Sequence, residues 1–119
     1  MANHRPRRVA ELIKKEISQM LLHDEIKDPR IGFVTITDVE VSGDLRHAKV
    51  FVSVYDKDPK VKEDTMEGLE NAVGYVRREL GQRIRLRHTP EILFRYDDSI
   101  KRGTRIFKIL EDLDQENEE

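Results

Sequence analysis

The stretch NAVGYVRRELGQRIRLRHTP, residues 71–90, decides the fold. Its apolar side chains recur at helical spacing, yet it contains Gly74, Gly81 and five arginines: Arg77, Arg78, Arg83, Arg85 and Arg87. Each interior glycine costs about 1 kcal/mol relative to alanine. On a helical wheel, Met66, Leu69, Val73, Val76, Leu80 and Ile84 share one sector about 80° wide, with Ala72 beside it. Gly74 and Gly81 fall together on the opposite side, near Arg78 and Arg85. Arg77 lies between the two sectors, and Arg83 points toward the core side. Two compatible readings of Gly74 follow. It can let one long helix bend back as two, and it can let a partner approach bare backbone. A kink also exposes N–H groups that can meet phosphate.

Working outward, the helical period runs over about residues 61–87. Asp58-Pro59 supplies an N-cap and first turn, and Thr89-Pro90 stops the helix. Upstream, Val9, Leu12, Ile13, Ile17, Met20 and Leu21 form the apolar stripe of a helix over about 7–23. Pro29 and Gly32 break it. FVTITDVEV, residues 33–41, reads as a strand, SGD as a turn, and RHAKVFVSVY, residues 46–55, as a second strand antiparallel to the first. In that second strand Ala48, Val50, Val52 and Val54 alternate with polar positions. EILFRYD, residues 91–97, is a third strand. Asp98 or Ser99 caps a last helix through about residue 113, striped by Ile106, Ile109, Leu110 and Leu113. The order is α+β, with helices covering one face of a small three-stranded sheet.

The 119 residues make one domain by length. The expected division is a domain over 1–113, with a basic N-terminal arm at 1–6, and an acidic tail at 114–119. No cysteine is present, which excludes disulfides and thiol chemistry. No apolar run approaches the roughly 20 residues that cross a bilayer, and the N-terminus has no apolar signal core. The expected location is cytoplasmic.

A formal net charge of −2 hides two basic segments. Residues 1–15 carry +4 and residues 72–108 carry +6, while 16–71 and 109–119 are each −6. Local charge is what a polyanion feels. Within 77–87 every base is arginine, and Glu79 is the only acid. Guanidinium forks match phosphate oxygens in pairs and stack on bases. Lys101, Arg102 and Arg105 open the following helix, and Arg5, Arg7 and Arg8 form a second basic group. These residues are the expected RNA contacts.

Enzyme chemistry is not encoded in any recognisable motif. His4, His23, His47 and His88 are scattered, without metal-ligand spacing. Asp97-Asp98 reads as a strand end and helix cap rather than a metal site. Phe33, Phe51, Phe94 and Tyr96 read as core packing rather than a stacking platform, with Phe51 alone off the core face. No catalytic residue, metal or cofactor is expected.

RPRRVAELIKKEISQML, EIKDPRIGFVTITDVEVSGDLRHAKVFVSV and RLRHTPEILFRYDDSIKRGTRI together resemble the ribosome-binding factor A family, from about residue 5 to 110. That resemblance implies a type II KH-like fold in which an interhelical Ala-x-Gly kink, here Ala72-Val73-Gly74, replaces the usual glycine loop. The chain indeed has no Gly-x-x-Gly, so a loop clamping four nucleotides is not expected. The resemblance further implies an assembly factor of the small (30S) ribosomal subunit. It would contact 16S rRNA late in maturation and processing, be released by a ribosome-associated GTPase and be linked to growth in the cold. A monomer without membrane attachment is expected. The competing expectation is a KH-like adapter whose basic helix grips an acidic protein.

Overall fold

The computed structural model describes residues 5–97. Six elements follow in order: α1 (Arg5–Leu22), β1 (Val34–Val41), β2 (His47–Val54), α2 (Pro59–Asn71), α3 (Val73–Arg83) and β3 (Glu91–Tyr96). This is the α-β-β-α-kink-α-β order of a type II KH-like α+β domain. The sheet order is β1-β2-β3, with β1 antiparallel and β3 parallel to β2. A parallel neighbour needs a long crossover, and the α2–α3 pair supplies it.

Alternation in β2 buries Ala48, Val50, Val52 and Val54 on one face. α1 packs against β1 on that side, and α2 and α3 against β3. Ile13, Ile17 and Met20 from α1, Leu69 from α2, and Val76 and Leu80 from α3 close the core. β1 departs from strict alternation. Ile36 and Val39, three apart, are both buried because a bulge at Thr37 inserts an extra residue between the pairs Ile36–Val52 and Asp38–Phe51. The Thr37 hydroxyl is tied to Asp97 and to the Phe51 carbonyl, at 3.3 Å from the latter, and Lys14 Nζ reaches the Thr37 carbonyl at 3.4 Å.

Asp58 caps α2, its Oδ1 accepting from Lys60 N at 2.9 Å, with Pro59 in the first turn. The helix break falls on Ala72 (φ −88°, ψ 0°), two residues before Gly74. The chain keeps hydrogen bonding through the break. Ala72 N donates to Gly68 O and Leu69 O, and Val76 N donates to Ala72 O.

Three expectations are corrected. The helical period does not continue to Arg87, because α3 ends at Arg83 and Ile84 is extended (φ −121°, ψ 128°), which keeps its side chain in the core. Arg5-Pro6 is not an arm but the first turn of α1. Phe33 is not core: it is 72% exposed and tilts against Tyr55 at 5.4 Å between centroids. Phe94 is buried and Phe51 half-buried, and Tyr96 lies under Lys62 Nζ, 4.0 Å from the ring centre. The expected C-terminal helix and acidic tail lie outside the described residues.

Candidate nucleic-acid interface

With Val76 and Leu80 turned inward, the i, i+4 spacing of α3 places Gly74, Arg78 and Gln82 on one exposed row. Arg78 makes no hydrogen bond or ion pair among the described residues. Gly74 has no positive φ, and a Cβ built on it would meet nothing within 4 Å. The isolated fold would therefore accept alanine there.

The neighbouring row does a different job. Arg77 Nε donates to Pro90 O and its Nη2 to Thr89 O, both at 3.2 Å. One turn on, a Cβ at Gly81 would stand 3.0 Å from Thr89 Oγ1. Arg77 and Gly81 thus hold the returning chain ahead of β3. The two glycines that a wheel groups together have different surroundings: Gly81 is exposed but stands against Thr89, and Gly74 is open. The two partners of Arg77, on Thr89 and Pro90, are carbonyls, which carry no charge to offset the guanidinium. Arg85 and Arg87 sit exposed on the loop after α3, again without hydrogen bonds or ion pairs among the described residues.

Arg83 is the exception among the five. It is hydrogen-bonded to Glu25 and lies 3.6 Å from Glu16 and 3.7 Å from Glu79. Its pKa is raised further above the ordinary value, first by the Glu25 hydrogen bond. Only Glu79 is local in sequence, and Glu16 and Glu25 are delivered by α1 and the segment after it. The structure thus places Arg83, expected as a phosphate contact, in a cluster of ion pairs with three carboxylates. Beside it, Tyr75 donates to Glu79 at 3.3 Å, and burial, then the Glu79 charge, raise the phenol's pKa.

The tertiary structure brings the two basic segments together. α1 and residues 83–86 enclose a cleft of about 570 Å³. Arg5, Arg8 and Arg85 border it, while Val9, Leu12, Ile84 and Leu86 supply its apolar surface. Arg7 lines a different cleft, between α1 and β1, that also holds Asp38 and Glu40. Lys101, Arg102 and Arg105 lie outside the described residues.

Sequence reasoning missed a second arginine that is engaged within the fold, Arg30, although its side chain is 41% exposed. Arg30 forks onto Asp28 (Nε–Oδ1 3.1 Å, Nη2–Oδ2 2.8 Å), and its backbone N–H donates to Oδ1 at 2.9 Å. The Arg30 hydrogen bonds hold the Asp28 carboxyl well below the usual carboxylate range. The loop is pinned to α2 by Thr65, a fully buried hydroxyl that accepts from Gly32 N at 3.2 Å and donates to Arg30 O at 3.4 Å. Gly68 lets the loop lie close, since a Cβ there would stand 2.7 Å from Ile31 Cγ1. The Asp-x-Arg spacing was the available signal. Among the described residues no three His, Cys, Asp or Glu are placed to hold a metal. His47 lies 3.5 Å from Glu91, across the β2–β3 pair. No helix among the described residues is long and apolar enough to cross a membrane.

A family model described as ribosome-binding factor A matches residues 5–110. The ribosome-binding factor A of Halothermothrix orenii is 58% identical over 118 residues, covering 99% of this chain and 95% of that protein. The crystal structure of ribosome-binding factor A from Thermus thermophilus aligns with a TM-score of 0.66 at 21% identity, covering 76% of this chain and 93% of that one. A homology model of a Thermus thermophilus relative, fitted into a cryo-EM map of its complex with the 30S subunit, aligns at 0.54 and 22% identity, covering 71% and 90%.

Proposed function

The chain belongs to the ribosome-binding factor A family, and from that premise we propose that it docks on the small (30S) ribosomal subunit during late maturation and contacts 16S rRNA through its arginines. The relative seen in a 30S complex supports the partner. The observation that carries the RNA contact is the set of exposed guanidiniums that have no carboxylate partner among the described residues: Arg78 on α3, Arg85 and Arg87 just beyond it, and Arg8 on α1. Such forks, fixed on a folded scaffold, suit shape-directed docking on folded RNA rather than sequence readout. Gly74, bare and open on the same helix, lets a phosphate backbone approach the first turn of α3, whose N–H groups carry partial positive charge. Arg77 contributes charge while holding the loop, and Lys101, Arg102 and Arg105 extend the basic surface. Arg83 takes no part.

In this reading the protein is a non-catalytic cytoplasmic monomer that needs no cofactor, and its release is driven by a ribosome-associated GTPase. Binding to immature small subunits, followed by sedimentation across a salt series, tests it. Four phosphate contacts predict a log–log slope of about −3 to −4. Ribonuclease treatment should abolish association. A flat salt response would contradict the charge-driven contact, and association that survives digestion would instead establish the adapter reading, with an acidic protein as partner.

A further inference from the structure

Resting on the RNA-binding reading above, we propose that the cleft between α1 and residues 83–86 receives one unpaired nucleotide, its base against Leu12 and Leu86 and its phosphates against the bordering guanidiniums. Leu12 is the key observation. It sits mid-way along α1 yet is 42% exposed, and it lines the same concavity as Arg5, Arg8 and Arg85. An arginine border alone would suit any phosphate backbone. An apolar surface recessed among arginines does not suit a duplex, which presents phosphates outward and keeps its bases stacked inside.

A splayed base meets the whole constellation: it has an apolar face for the leucines, a π-surface for guanidinium planes, and a phosphate on either side. Among the described residues Glu16 is the only carboxylate lining the cleft, and it is engaged by Arg83 at 3.6 Å, so its charge is partly neutralised before any phosphate enters. The cleft lies at the end of α3 and on α1, away from the α2–α3 kink. It therefore adds a contact that the kink by itself does not provide.

The test uses the full chain with two fluorescent probes at fixed low salt: an octauridylate, and the same ribose–phosphate backbone lacking bases. The wild type should prefer the base-bearing probe by about tenfold, equivalent to about 1.4 kcal/mol. Leu12→Gln is neutral and suits a helix. It should reduce that preference to less than about twofold while leaving affinity for the abasic backbone and thermal unfolding unchanged. Arg8→Gln should weaken both probes alike. Equal binding of both probes by the wild type, with the salt dependence intact, overturns the nucleotide cleft and leaves the RNA reading standing. A preference that Leu12→Gln does not change also overturns it. If neither probe binds while a glutamate-rich peptide does, both readings fall and the cleft is a protein site.

Discussion

The two halves of the kinked helix pair use the same residue types for opposite ends. In α2, Gly68 is buried, and the arginine that packs beside it, Arg30, is consumed by Asp28. In α3 and the loop beyond, Gly74 faces open space, and Arg78, Arg85 and Arg87 have no carboxylate partners among the described residues. A glycine or an arginine therefore means nothing by itself. Packing neighbours decide whether it completes the fold or is left over for a partner.

The contrast is broken most directly by charge. Arg78→Glu with Arg85→Glu removes two charge-assisted contacts of about 1.5–3 kcal/mol each and adds repulsion. Subunit binding should fall by two orders of magnitude or more, with thermal unfolding nearly unchanged; unaltered binding would remove these arginines from the interface. Arg30→Glu should do the reverse, lowering stability with no direct loss of an RNA contact.

Next in size is the glycine of α2. Gly68→Val forces atoms into Ile31 and should destabilise by about 1–3 kcal/mol, read from denaturant midpoints. At Gly74 the sign should invert. Gly74→Ala should stabilise the isolated protein by up to about 1 kcal/mol, yet weaken binding to immature subunits if RNA backbone lies against that helix. Stabilisation with unchanged binding would leave Gly74 without an interface role.

The smallest effect is on acid stability. Asp28 has a depressed folded-state pKa, so its contribution is present above its ordinary value of 3.8 and is lost as pH falls toward the folded-state pKa. Asp28→Asn should therefore be less stable than wild type at neutral pH, and the gap should close below about pH 4. A gap that stays constant with pH would mean that the carboxylate charge is not what holds the loop.

Much of this contrast was legible beforehand. The period of 3.6 placed α1 and the stretch that holds α2 and α3, β-branched composition marked β1, and the alternation of β2 named its buried face. The breaks that depend on neighbours were not legible. Apolar spacing carries on through Ile84, so only the buried position of that side chain, reached by extended backbone, shows that α3 has already ended. The bulge at Thr37 likewise looks like ordinary strand sequence.

The sequence by itself determined the element order, the capped start of α2, the interruption near residue 72 and the concentration of guanidinium in 77–87, because periodicity, capping and local charge are properties of neighbours along the chain. Only the tertiary structure decided which arginines remain available. Glu16 and Glu25 reach Arg83 from across the fold, Thr89 and Pro90 return to Arg77, and α1 brings Arg8 beside Arg85. Coulomb attraction and hydrogen bonding act over a few ångströms of space, and chain separation does not reveal which groups come that close.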